Sequence, residues 1–216
     1  MIPSNCPNCS ARLELNDDGT CDHCGVDVTV MANEPLAGGS TDAAVVSPLA
    51  PDEGIALIRR ADPAFDPAGF ERRAEQAFLA LGQAWQDRDR EAARPLMSPG
   101  LHKSWSANVQ MFVDEHKRNV LEGMRVDSLA PVKVVHGNAF DALTVRFTAT
   151  WISYEVDERT DRVIAGDRTP QSFTEFFTFQ RSVDARTTDG RFDWVLSRLQ
   201  READYAASAD RSMRRG

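Results

Sequence analysis

Lysine is nearly absent from this chain: only Lys103, Lys117 and Lys133 stand among its 25 basic residues. Arginine supplies the rest, a usage associated with GC-rich bacterial genomes. No run of about 18 apolar residues occurs, so no segment qualifies as a membrane-spanning helix. The opening MIPSNCPNCSARLELNDDG lacks the basic-then-apolar order of a secretory signal. Its acidity does not suit a mitochondrial transit peptide either, and the expectation is a cytoplasmic protein. There is no glycine-rich phosphate loop and no dinucleotide fingerprint. His102, His116 and His136 are scattered, and no nucleophile pairing or metal-ligand spacing is read for them. His116 falls on a helical apolar stripe and reads as a helix-face residue. Cysteine is scarce too, but its four copies are clustered, and reduced clustered thiols suit the cytoplasm.

The formal charge of −8 is unevenly placed. Residues 1–30 carry Arg12 against Glu14, Asp17, Asp18, Asp22 and Asp27, and residues 31–64 carry two arginines against five acids. The remainder is close to neutral. Phosphate contacts need Lys and Arg, so nucleic-acid binding through the acidic N-terminal module is not expected.

Within that module Cys6, Cys9, Cys21 and Cys24 form C-x2-C-x11-C-x2-C. Each C-x2-C turn directs two thiolates to one point, and two such turns complete a tetrahedron around one structural zinc ion. Arg12–Leu15 reads as a short strand, Asn16–Gly19 as a turn, and Val26, Val28 and Val30 as a second strand. A module this small cannot hold itself together by burial alone, so the metal must stabilise it. His23 is an alternative ligand by type, but reads as a solvated residue inside the second knuckle. The domain reading is a zinc ribbon over 1–30, a flexible linker over 31–53, a main domain over 54–203 and a polar tail over 204–216.

The main domain opens with helices. Gly54–Arg60 can make two amphipathic turns with Ile55 and Ile58 on one side. Phe65-Asp66-Pro67 is a helix start, with Asp66 as cap, Pro67 at the first helical position and Phe65 poised to staple on Phe70. Phe70, Ala74, Ala77, Phe78, Leu81 and Trp85 follow helical spacing. A shorter helix covers Arg90–Met97. Ser98-Pro99 starts a third, whose stripe reads Leu101, Trp105, Val109, Phe112, His116 and Val120. After Gly123 the pattern turns to strands over Arg125–Leu129, Val132–His136 and Ala142–Val156. A hairpin around Asp157–Asp161 leads to Val163–Ala165, and Gln171–Val183 and Phe192–Leu199 follow. In the long strand Leu143, Val145, Phe147, Ala149 and Trp151 share one parity, whereas Ile152, Tyr154 and Val156 take the other. A strand of that length must twist or bulge, and the parity change puts the bulge near Trp151–Ser153. Helices first and an antiparallel sheet afterwards is an α+β order.

That order resembles the nuclear transport factor 2-like cone, in which helices close the concave face of a curved sheet. Three stretches are similar to the C-terminal domain of mitochondrial inner-membrane translocase subunit 44. They are Gly54–Phe70 with its ADPAFDPAGF, Phe173–Ser182 (FTEFFTFQRS) and Trp194–Gln200 (WVLSRLQ). Phe177 stands where that family usually has Trp, and Gln180 where it favours an aliphatic residue. The resemblance covers roughly residues 54–200 and excludes the zinc module. It implies a non-enzymatic adaptor or tether that docks a protein partner or a membrane surface, peripheral to the inner face of the membrane. The ribbon would be a second protein-contact module.

Glu175 shares parity with Phe173, Phe177 and Phe179, which sets a carboxylate on an apolar face. The superfamily resemblance admits a general base in a pocket there; the simpler expectation is an ion pair with Arg146 or Arg198. An open cone would expose Phe78, Trp85, Phe112, Trp151, Phe177 and Trp194 with Glu175 as lining for a small molecule or lipid. That is the alternative function, and ribosome or RNA binding by the near-neutral cone is a third.

Overall fold

A computed structural model describes residues 3–29, 46–183 and 194–213 of the chain. Four helices come first: α1 (Pro51–Ala61), α2 (Pro67–Asp87), α3 (Arg90–Ala93, continued by a 3-10 turn to Leu96) and α4 (Pro99–Asp114). Strands β1 (Lys117–His136), β2 (Phe140–Asp157), β3 (Arg162–Gly166), β4 (Gln171–Ser182) and β5 (Val195–Arg201) follow, then helix α5 (Glu202–Met213). The sheet runs β1-β2-β4-β5 with antiparallel neighbours, and β3 pairs the far end of β2 beyond β4. This is the expected α+β order.

Helix α2 forms where its start signals stand. The Asp66 carboxylate accepts the Ala68 N–H at 3.1 Å, Pro67 opens the helix, and the Phe65 and Phe70 rings lie 6.3 Å apart as a staple. Phe70, Ala74, Phe78 and Leu81 are buried against the inner, helix-facing side of the sheet. Phe78 stacks on Phe147 at 4.7 Å and meets Phe177 at 5.1 Å; Trp151 stacks on Phe173 at 4.0 Å. Burial of each large side chain contributes roughly 1.5–3 kcal/mol, so this aromatic layer dominates the core. Helix α1 lies against β1 where Gly54 approaches Val134 too closely for any Cβ, and Ile58 is fully buried.

Several expectations change. The third helix ends at Asp114: His116 adopts a left-handed conformation (φ 52°), and β1 begins at Lys117. Val120 therefore faces Tyr154 across the sheet rather than continuing a helical stripe, and its i+4 spacing from His116 was coincidental. The two short strands expected on either side of Pro131 are one 20-residue strand. Pro131 is tolerated there because β1 is an edge strand with a register shift beside it. The bulge does fall at Trp151, but the extra residue lies in β1: Gly123 and Met124 together oppose Trp151. Gly123 takes φ 62°, the left-handed geometry such a bulge requires. Beyond it the parity of β2 switches, leaving Tyr154 and Val156 buried.

The chain ends also differ from the reading. The polar tail read from residue 204 onward is, as far as Met213, part of α5, with Tyr205 stacked on Phe176 at 3.9 Å and Ser208 accepting from Gln200 at 3.2 Å. Of the expected linker, residues 31–45 lie outside the described residues. Residues 46–53 are bound to the rest of the chain: the Val46 N–H donates to the Cys9 carbonyl at 2.9 Å, the Leu49 N–H donates to the Val134 carbonyl at 2.8 Å, and α1 starts at Pro51. The two ribbon strands reduce to the isolated bridges Asn5–Arg12, Leu15–Cys21 and Thr20–Asp27. Val30 lies outside the described residues.

Candidate functional site

The four cysteines meet as their spacing requires. Each knuckle closes on a residue with positive φ, Ser10 (62°) after Cys9 and Gly25 (78°) after Cys24. The Ser10 N–H donates to the Cys6 carbonyl at 2.8 Å and the Gly25 N–H to the Cys21 carbonyl at 2.9 Å, repeating one turn twice. All four thiols are buried, and their sulfurs lie within 4.8 Å of one another. Cys6 Sγ and Cys24 Sγ are 3.8 Å apart, and Cys9 Sγ and Cys21 Sγ 4.0 Å. A tetrahedron with metal–sulfur bonds of about 2.3 Å has edges of about 3.8 Å. The donor set therefore fits one tetrahedral, thiophilic metal ion. Hydrogen bonds from Cys24, then Cys6 and Cys9, push the Cys21 thiol far below the ordinary range; donation to Cys21 pushes Cys24 up. A bound cation would take the place of these shared protons. His23 is half-buried, its Nδ1 has no partner among the described residues, and burial lowers its pKa, so it is not the solvated residue expected.

The ribbon does not swing free. It lies on the outer face of the sheet, where Val26 and Val28 share a small apolar cluster with Val135 and Ala142. Around that cluster the contacts are polar and specific. The Asp27 N–H donates to Gln180 Oε1 at 2.7 Å, Ser197 Oγ donates to the Gly25 carbonyl at 2.8 Å, and Lys133 Nζ donates to the His23 carbonyl at 2.7 Å. Arg198 reaches Asn16 Oδ1 at 3.0 Å and Asp22 at 3.7 Å. The Asp27 carboxylate, fully buried, accepts the Thr29 N–H at 2.9 Å and the Gly100 N–H at 2.8 Å, which places a negative charge on the first turn of α4. A Cβ on Gly100 would meet the Asp18 carbonyl at 2.5 Å, so glycine is required for that approach. Gly25 serves twice, because Thr178 also packs 3.1 Å from where its Cβ would be. Sequence reasoning passed over Lys133, Gln180, Ser197 and Arg198 as ribbon contacts. Their one signal was polarity in strands whose other face is apolar.

The expected pocket residues are dispersed through the core. Phe78, Trp151, Phe177 and Trp194 are buried, and Trp85 is partly buried against it. Trp85 meets Trp105 at 5.7 Å and Phe112 at 5.3 Å. These rings fill the concave side by packing on one another. A groove of about 150 Å³ does open, but between α2 and the α3 turn, lined by Phe70, Ala74, Ala77, Leu96, Phe179 and Trp194. Of the residues expected, only Trp194 reaches it. Glu175 is half-buried on the inner face, where desolvation raises its pKa and Arg201, its partner in register on β5, pulls it back. Neither expected arginine pairs with it: Arg146 is exposed opposite Phe176, and Arg198 holds the ribbon.

A second buried charged cluster escaped the sequence reading. Arg181 donates to Asp62 at 2.7 Å and to Asp141 at 3.2 Å, and the neighbouring Phe65 and Trp194 rings lie 5.2 and 5.0 Å from its guanidinium. Asp141 also binds His136 Nδ1 at 2.6 Å. This network ties the α1–α2 junction to the sheet. His102 bonds the Arg90 carbonyl at 2.9 Å, and Tyr154 donates to Glu122 at 2.6 Å.

Comparison with curated proteins gives no match. Among solved structures, the intermembrane space region of the chloroplast protein ARC6 is similar at 12% identity, over 60% of this chain and 94% of that one, with a TM-score of 0.36. Residues 52–201 match the family model described as the Tim44-like domain, and the chain therefore belongs to the Tim44-like family.

Proposed function

We propose that this chain is a non-enzymatic adaptor whose Tim44-like domain docks a protein partner or a membrane surface, working in the cytoplasm and at the inner face of the membrane. The observation that carries the reading is the filled concave side: Phe78, Phe147, Phe177, Trp151 and Phe173 occupy it with their own rings. Recognition then falls to outward surfaces. The β2–β3 arm is one, because every residue of β3 is exposed, Val163 and Ile164 at 43% and 48%. The ribbon, holding one structural zinc on Cys6, Cys9, Cys21 and Cys24, is a second contact module with Leu15 exposed on it. Because it rests on the sheet, its surface and that of the cone form one continuous platform rather than two tethered modules. Among the described residues no helix is long and apolar enough to cross a membrane, consistent with a peripheral association.

Photocrosslinking from position 164 in the living host tests this. One recurring protein adduct, or transfer of label to lipid, is the expected result. Adducts no stronger than those from exposed Arg59 on α1 would refute docking through the arm. A second reading, a carrier of a small apolar molecule, is favoured by the groove beside Trp194. Native mass spectrometry of gently purified protein decides for it if one defined small molecule stays bound and leaves on mild organic extraction.

A further inference from the structure

A zinc ion on four thiolates carries a net charge of −2, and a buried charge of that size is costly unless countered nearby. The ribbon itself is poorly equipped to supply the counter-charge. Its one arginine, Arg12, stands against five acids, and Asp22 and Asp27 lie next to the second knuckle. The cations that face the centre come from the cone. Lys133 on β1 donates to the carbonyl of His23, the residue between Asp22 and Cys24, and stands within electrostatic reach of Cys24 and Cys21. Arg198 on β5 reaches Asn16 and Asp22.

One ribbon residue reaches the other way. Asn8 sits in the first knuckle and is fully buried. Its Nδ2 points at Cys24 Sγ from 3.9 Å, while its Oδ1 accepts the Ala139 and Phe140 N–H groups at 3.0 and 2.7 Å. Its own carbonyl accepts the Asn138 N–H at 2.9 Å. Gly137 has no room for a Cβ because Asn8 occupies that space. A single amide thus joins a metal-bearing sulfur to the turn between β1 and β2.

We propose that the metal centre is completed by the cone, with Lys133 as its counter-charge and Asn8 as its link to the β1–β2 turn, so that metal binding and closure of the ribbon on the sheet are one coupled equilibrium. The inference rests on the zinc reading above. Coupling of this kind is reciprocal: docking raises metal affinity by the factor by which metal favours docking. Residues more than a hundred positions from the cysteines then set how tightly the metal is held. Losing the metal uncovers Val135 and Ala142 on the outer face, together with the hydroxyl pair of Thr144 and Thr178.

The test uses the full chain, with zinc affinity measured by competition against a chromophoric chelator and amide exchange followed by mass spectrometry. Lys133→Gln keeps a donor for the His23 carbonyl but removes the charge; Lys133→Arg keeps the charge. Removing a group that supports a metal's ligands typically weakens binding 10–100-fold. Lys133→Gln and Asn8→Ala are expected to fall in that range, with Lys133→Arg recovering most of the loss. Stripping zinc from the wild type is expected to speed exchange in residues 133–136 and 140–144, while the amides of α2 stay protected. Affinities within about twofold of wild type in both Lys133→Gln and Asn8→Ala, against the 10–100-fold norm, would overturn the proposal. So would unchanged exchange on the sheet after stripping, a wild-type readout that decides even if a variant fails to fold. Wild-type protein that takes up no zinc would overturn the metal reading as well, and that failure shows before any variant is compared.

Discussion

Replacing Asp27 with alanine is the sharpest test of how the ribbon is held. The carboxylate is fully buried, 73 residues from the helix it caps, and it serves two segments at once. Its Oδ2 accepts the Gly100 N–H at 2.8 Å in the first turn of α4, and its Oδ1 accepts the Thr29 N–H and hydroxyl at 2.9 and 2.5 Å. Thr29 is exposed, so water replaces that half of the loss. Gly100 lies beneath the ribbon, and its stranded N–H costs about 2 kcal/mol. The charge at the N-terminus of α4 contributes roughly another 0.5–1 kcal/mol. The total is about 3 kcal/mol. For a chain of this size that lowers Tm by about 6–12 °C. Asp27→Asn keeps the shape but not the charge and should lose less. Thermal melts in excess zinc, with amide exchange at residues 98–102, report both the loss and its location. A Tm drop below about 2 °C with unchanged exchange at Gly100 would refute the reasoning, since the ribbon would then be held by its apolar cluster and its other polar contacts without the Asp27 carboxylate.

Glu175→Gln should stabilise the protein near neutral pH. Burial raises the folded-state pKa of Glu175, so its contribution is full below the unfolded carboxyl pKa and is lost as pH rises through the folded one. The gain in Tm over wild type should therefore vanish in acid; a loss of stability at pH 7 would mean that the carboxylate is engaged in a pair. Arg181→Met strands Asp141, which is 3% exposed, beside His136 and should cost roughly 3–5 kcal/mol in urea unfolding. Little change there would mean that water reaches the cluster. Phe78→Ala opens the aromatic layer against Phe147 and Phe177 and should cost roughly 3–5 kcal/mol; if a groove forms that binds benzene, the cavity is real and dry.

Elements whose cause is local were legible. The start of α2 needs only Asp66, Pro67 and the Phe65–Phe70 staple, all within a few residues. The cysteine knuckles need only C-x2-C and a residue that tolerates positive φ after it. The long strand was visible in alternation, and its parity change located the bulge. Which strand carries the extra residue was not visible, because a bulge is a property of a pair and only the register shows that Gly123 and Met124 share one partner. The α4–β1 boundary failed for a related reason: the helical spacing of His116 and Val120 arose by chance across a turn and the strand that follows it.

The site divides in the same way. Spacing indicated that the four cysteines would meet, and their sulfurs do. Alternation put Glu175 on the inner face, but its charged neighbour depends on pairing with β5, which brings Arg201 rather than Arg146 or Arg198. Sequence alone determined the helix-then-sheet order, the aromatic core and the cysteine knuckles, because each follows from periodicity or from contacts a few residues apart. Tertiary structure alone decided that the concave side is filled and that the ribbon lies on the outer face. It also decided that Lys133, Gln180, Ser197 and Arg198 are polar because the ribbon covers them. Those contacts join residues more than a hundred positions apart, and a buried polar side chain reads in sequence like any exposed one until its partner arrives.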